Sequence, residues 1–247
     1  MDIPHPIQIH PRMKKHICCL LLQLCCVLTA FAQERTVQNR PYIDLRKFHY
    51  GFTFGTHIQN LNLYNNGYIN PENGEQWFST NDRDDIGFSV GVLGEWRLSQ
   101  YLALRIIPSM HFGSKHITFR EQGSGKTETQ DLRSTYLSVP LDLKFSAQRF
   151  NNYRPYIIAG LNPMYDLTTR KQGNLLLKKL DCYVEVGLGC DFYLPFFKLI
   201  PELKFCFGLG DILDKDRSQL IDKSKLILTE SLNKATARMF ILSFYFE

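Results

Sequence analysis

The chain has 247 residues, of which 44% are apolar, 13% aromatic and 21% charged, and its mean hydropathy is −0.20. That mean excludes a helical multi-pass membrane protein, since each crossing needs about 20 nearly uninterrupted apolar residues. The 18 Phe, 12 Tyr and 2 Trp exclude a disordered chain. The formal charge of +5 is not gathered into a Lys/Arg block, so no nucleic-acid partner is expected.

Lys14, Lys15 and His16 precede an apolar run from Ile17 to Leu28, followed by Ala30-Phe31-Ala32. A basic start, a short apolar core and an A-x-A cleavage site describe a secretory signal peptide over 1–32. The run is too short for a permanent membrane helix. Three prolines in the first twelve residues fit this signal poorly, and Met13 is the expected start. No Cys follows the cut, which argues against a lipoprotein. Three Lys/Arg and one acid leave with the signal, so +5 becomes +3. Cys18, Cys19, Cys25 and Cys26 leave too, and an odd set of Cys182, Cys190 and Cys206 is no disulfide scaffold.

After a short segment, 33–47, the chain alternates with period two, the mark of strands with two unlike faces. Phe48, Tyr50, Phe52, Phe54 and Ile58 alternate with His49, Gly51, Thr53, Gly55 and His57. The pattern returns from Ile86 to Trp96, Leu102 to Phe112, Leu137 to Phe145, Val184 to Phe192, Leu203 to Leu209 and Phe240 to Phe246. Tyr153–Tyr165 is strand-like with less distinct faces. Several strands reach the roughly 9–11 residues that a tilted bilayer crossing requires. Short connections at Leu98–Tyr101, Ser146–Asn152 and Leu194–Lys198 alternate with long polar ones at Tyr64–Asp85, Ser114–Leu132, Asp166–Lys179 and Gly210–Ala235. The prediction is an all-β, up-and-down, eight-stranded antiparallel transmembrane β-barrel over 48–247, with both barrel termini periplasmic and lipid around it. A soluble sandwich or lipocalin-type barrel also alternates. The glycines on the polar face (Gly51, Gly55, Gly87, Gly91, Gly187, Gly189) favour the membrane barrel, because small residues suit a crowded interior.

A barrel of eight strands is filled by its own side chains. Arg97, Arg105, Lys144 and Lys204 fall on the polar register near the short turns, with Glu95, Asp142, Asp191 and Glu202. These eight predict a balanced luminal charge network that seals one end. Paired carboxylates for acid–base catalysis are the competing reading. Gly125-Lys126-Thr127 lacks the first glycine of a phosphate loop, since position 120 is Arg. His49 and His57 are roughly 26 Å apart along a strand and cannot share a metal. Asp211, Asp214 and Asp216 lack the closing Glu of a calcium loop. Ser114, His111 and His116 are the candidates for a lipid-modifying site near the long-loop rim. No motif compels a catalytic, cofactor or metal site. The registers of Cys182, Cys190 and Cys206 predict three free thiols.

Tyr136–Phe145 (YLSVPLDLKF) and Arg154–Gly160 (RPYIIAG) resemble small outer-membrane barrels of Bacteroidetes. Phe48–His57 (FHYGFTFGTH), Glu185–Phe197 (EVGLGCDFYLPFF), Pro201–Phe205 and Gly208–Leu213 resemble the PorT family. The resemblance implies a component of the type IX secretion system, which exports proteins bearing C-terminal sorting domains, gingipain-type proteases among them. Other components of that system would be its partners. It carries over no catalytic residues. A small structural or adhesive barrel, or a lipid-modifying enzyme, stands as the alternative.

Overall fold

The computed structural model describes residues 37–70, 74–83, 85–168, 175–214 and 226–247; the segment read as a signal peptide lies outside them. Among these residues eleven antiparallel strands follow one another: β1 (Phe48–Asn65), β2 (Trp77–Arg83), β3 (Ile86–Arg97), β4 (Leu102–Ile106), β5 (Ser109–Glu121), β6 (Thr127–Ser138), β7 (Leu141–Ser146), β8 (Tyr153–Asp166), β9 (Leu180–Tyr193), β10 (Lys198–Gly208) and β11 (Leu232–Phe246). A 3₁₀ turn, Ile43–Leu45, precedes them, and a short helix α1 (Leu226–Glu230) precedes β11. No helix among the described residues is long and apolar enough to cross a membrane.

The pairings reduce eleven strands to eight staves. β3 pairs with β4 near the short turns and with β5 further up, so β4 and β5 are one stave interrupted at Pro108. Likewise β6 and β7 are one stave interrupted at Pro140, and β2 continues the line of β3. Proline has no N–H to give the ladder, so these breaks sit where the sequence places it. Pairing of β1 with β11 and of β8 with β9 closes the circle.

The register fixes the barrel's geometry. From His49, partners run through Glu95, Arg105, Asp142, Gly160, Glu185, Cys206 and Met239, and return to β1 at Gln59. The circuit therefore climbs ten residues, from 49 to 59, across eight staves. That stagger corresponds to a strand tilt of ~40°. On β3 the outward residues Ile86, Phe88, Val90, Val92 and Trp96 are all exposed. At ~3.4 Å per residue and this tilt they cover ~25 Å, the height of the apolar band of an outer-membrane barrel. Outward aromatics reinforce the closing seam: Phe246 stacks on Phe52 (5.1 Å), Phe54 (5.5 Å) and Phe197 (5.7 Å).

Two expectations need correction. β8 has distinct faces, with Tyr156, Ile158, Asn162 and Met164 buried and Ile157, Leu161 and Tyr165 exposed. Much of the sequence read as long loops is strand: β5 and β6 continue to Glu121 and back from Thr127, and β1 reaches Asn65. The polarity inverts along these extensions. Ile117, Phe119, Leu61, Trp77 and Tyr136 are buried there, and they pack with Leu175, Leu177, Ile212, Leu213 and Leu228. Leu177 bridges Leu213, Lys178 N–H donates to Ile212 O (2.8 Å), and Ile212 N–H donates to Ala235 O (3.0 Å). An apolar plug built partly from connecting segments thus fills the long-loop end. A search for apolar-out strands misses extensions whose apolar residues point inward.

Large inward side chains lie over inward glycines. The Tyr156 ring covers Gly189, its partner across β8–β9, Ile158 covers Gly187, and the His57 ring covers Gly87. A Cβ at Gly189 would collide with the Tyr156 ring. Gly189→Val is therefore expected to destabilise the barrel by roughly 1–3 kcal/mol, the usual penalty of overpacking. A lower midpoint in urea unfolding of the lipid-reconstituted protein measures it; an unchanged midpoint would show that Tyr156 has room to move.

Candidate functional site: a charged layer across the lumen

The row of partners that closes the barrel also carries its charges. Inward positions of β3, β4, β7, β9 and β10 bring Glu95, Arg105, Asp142, Glu185, Asp191, Glu202 and Lys204 into one buried layer, with Lys144 and Lys198. Arg105 is its hub. Its Nε donates to Glu95 Oε2 (2.6 Å) and its Nη1 to Glu202 Oε2 (2.7 Å), and its Nη2 lies 3.9 Å from Asp191. The guanidinium also lies over the rings of Tyr156 (4.8 Å) and Tyr245 (5.6 Å). Both phenols donate to Glu202, Tyr245 at 2.7 Å.

Two lysines extend the layer to either side. Lys144 donates to both oxygens of Asp191 (3.0 and 2.8 Å) and to Glu95 (3.4 Å). Lys204 donates to Asp142 (2.8 Å) and Glu185 (2.7 Å) and lies 3.6 Å from Glu202. Gly160 stands between Asp142 and Glu185 in the circuit, so no side chain separates the two carboxylates that Lys204 bridges. Asn162 completes the group, its Nδ2 donating to Glu185 (2.8 Å). Below, Lys198 pairs with Glu247 (2.7 Å) and lies 3.5 Å from Asp191, and the His49 ring is hydrogen-bonded to Glu247. A cavity of about 20 Å³ above the layer, lined by residues such as Ser109, His111 and Lys204, has space for about one water.

Seven of the eight residues read from the sequence come together here; Arg97 does not. It lies at the end of β3, half-buried, and its side chain makes no ion pair among the described residues. The fourth cation of the layer is instead Lys198, which the sequence reading assigned to a turn, although β10 begins on it. Glu185 was also missed. It is on the expected register, but strand stagger sets its height beside Lys204, and periodicity reports a face without a height. The layer therefore holds five carboxylates and four cations, not four of each.

The other candidates are not assembled. His111 points into the lumen and is hydrogen-bonded to Ser138 (2.9 Å), whereas Ser114 donates to Asp85 (2.7 Å) and His116 pairs with Asp131. Glu121 N–H donates to Lys126 O (2.9 Å), so Gly123–Lys126 forms a hairpin turn and no phosphate cradle. Asp211 Oδ1 accepts from Leu213 N–H (3.1 Å) and Ala235 N–H (3.0 Å), and Asp216 lies outside the described residues. No group of three or more metal-ligating side chains occurs among the described residues. Cys182, Cys190 and Cys206 are free thiols.

Closed antiparallel staves, an apolar belt outside and paired charges inside define a transmembrane barrel. A family model for the outer membrane protein beta-barrel domain matches residues 31–214, and the chain belongs to that family. A search of curated proteins finds no match. Among solved structures, the chain is similar to Ail, the attachment invasion locus protein of Yersinia pestis, in complex with the heparin analogue sucrose octasulfate. That likeness has 13% identity, covers 81% of this chain and 99% of that one, and has a TM-score of 0.35. It is also similar to the outer membrane protein AlkL in DMPC bilayers, with 12% identity, 87% and 94% coverage and a TM-score of 0.36. The protein is an outer-membrane β-barrel, and the family match carries that assignment.

Removing one member of a buried ion pair strands its partner, which costs about 3–5 kcal/mol. Arg105→Leu leaves Glu95 and Glu202 without their guanidinium and is expected to lose that much in urea unfolding. Arg97→Leu is expected to change stability by less than about 0.5 kcal/mol. Equal losses in the two variants would contradict the hub.

Glu247, just beyond β11, gives a pH test. Burial pushes its carboxyl up, but the His49 hydrogen bond and the Lys198 charge outweigh burial and hold it at about 2, against 4.5 ordinarily. A depressed carboxyl contributes stability that is fully present above the unfolded value and lost as pH falls from about 4.5 through about 2. The contribution is on the order of 3 kcal/mol. Glu247→Gln should therefore flatten the stability curve in that window, read as unfolding midpoint against pH.

Proposed function

We propose that this barrel is an accessory or assembly factor of the type IX secretion system, without catalytic activity, and that export of cargo bearing C-terminal sorting domains depends on it. The observation that carries the reading is a lumen filled twice, by the charged layer near the short turns and by the apolar plug at the other end. A barrel so filled is no conduit for a folded protease, so its contribution comes through partner contacts. The stretches that resemble the PorT family supply four residues of the layer, Glu185, Asp191, Glu202 and Lys204, and the stretch that resembles small Bacteroidetes barrels supplies Asp142 and Lys144. In this reading the short turns, the residues before β1 and Glu247 face the periplasm, as the usual placement of short turns in such barrels implies.

Deleting the gene and assaying cargo proteases outside the cell and in the periplasm tests the role. The expected result is loss of extracellular protease with periplasmic retention, restored equally by the wild-type gene and by a Ser114→Ala/His116→Ala variant. Normal secretion after deletion would leave a structural or adhesive barrel. Failure of the Ser/His variant to complement would favour the lipid-modifying enzyme.

A further inference from the structure

Arg97, the cation that the charged layer leaves out, belongs to another feature. Below the layer, at the short-turn mouth, lies a cavity of about 430 Å³ lined by Arg97, Arg149, Arg154, Asp44, Gln100 and Gln148, with Tyr101 and Leu45 at its edge. Its volume is in the range of ligand pockets. Three guanidiniums face one carboxylate, which leaves two positive charges in excess.

The three arginines are not equivalent. Arg149 lies against the Tyr193 ring at 3.6 Å, and its donors are spent on the carbonyls of Asn39, Arg40 and Asn151 and on Asp44. Arg154 donates to the carbonyls of Ala147 and Gln100 and lies 3.9 Å from Asp44. These bonds fix two charges at the wall, their side chains only 11% and 12% exposed, together with the segment Asn39–Leu45 that crosses the mouth. Tyr193 Oη donates to Asp44 Oδ1 (2.6 Å) and secures the same segment. Arg97 has a rigid fork of donors and no side-chain partner among the described residues. A free guanidinium beside two fixed ones, in a preformed cavity, is a receptor for an anion with two oxygens in a plane.

The rest of the lining selects among anions. Gln100 and Gln148 each carry an amide donor and an amide acceptor, which match the C=O and N–H of a peptide backbone, whereas an ionised phosphate offers mainly acceptors. Asp44, held by Tyr193 and Arg149, keeps a negative charge at the wall that disfavours a dianion. We propose that this mouth binds an acidic peptide segment of a partner protein, with Arg97 receiving its carboxylate. The proposal rests on the accessory-factor reading only for the partner's being a protein on that side of the membrane; the binding itself is measured without it.

The test uses the purified protein in lipid nanodiscs and a short fluorescein-labelled polyglutamate peptide, followed by anisotropy. Saturable binding is expected, about tenfold or more weaker for Arg97→Gln, only partly restored by Arg97→Lys, whose ammonium keeps the charge but lacks the planar fork, and lost with a polyglutamine peptide. Gln148→Glu, an exposed change that adds a negative charge to the wall, is expected to weaken binding independently. A gel-mobility check that the unboiled barrel stays folded accompanies each variant. Absence of saturable binding, unchanged affinity in Arg97→Gln, or displacement of the peptide by equal concentrations of inorganic phosphate or anionic-lipid vesicles would overturn the proposal. Secretion separates the two readings. Loss of export on deletion but full export with Arg97→Gln would overturn the site and leave the accessory role. Peptide binding in nanodiscs with normal export on deletion would overturn the role and leave the site.

Discussion

Closing eight staves with a climb of ten residues constrains everything else in this protein. It leaves an interior only wide enough for side chains, so each inward residue must fit against inward residues of its neighbours. The circuit from His49 to Gln59 shows how this is met: Gly160 gives up its side chain so that Asp142 and Glu185 both reach Lys204, and Gly189 makes room for Tyr156. Charges in such a space are costly unless paired and hydrogen-bonded. Arg105, with two carboxylates at 2.6 and 2.7 Å and two aromatic rings beside it, meets that condition.

The same staves serve two solvents. Around the membrane belt the outer face is apolar and the lumen polar; above it the apolar residues turn inward and form the plug around Ile117 and Phe119. The reversal follows from what surrounds each level, since apolar surface is buried from water and left facing lipid. The charged layer and the apolar plug close the two ends by opposite chemistries. The closed barrel then leaves three surfaces exposed: the belt, the long-loop rim and the arginine-lined mouth.

How much of this could be read in the sequence depends on what periodicity reports. Alternation identified the staves, the outward aromatics from Phe48 to Trp96 and the face of seven layer residues, because a strand's period of two is insensitive to neighbours. Height along the barrel depends on register, which one strand's sequence does not contain. Glu185 was on the right face but was not recognised as level with Lys204, and Arg97 was counted in the layer although it lies below it. Lys198 was lost to a strand boundary misplaced by one residue. The extensions of β5 and β6 were hidden because Ile117 and Phe119 follow the inward register, where the membrane part of the same stave carries polar side chains.

The central claim is that paired charges and an apolar plug leave the lumen closed. Conductance of the purified protein in planar lipid bilayers tests it most directly. The wild-type barrel is expected to leave the bilayer at its unmodified baseline over long recordings at moderate voltage. A steady, large open-channel conductance would contradict it, because no continuous water column fits a lumen packed as the structure describes.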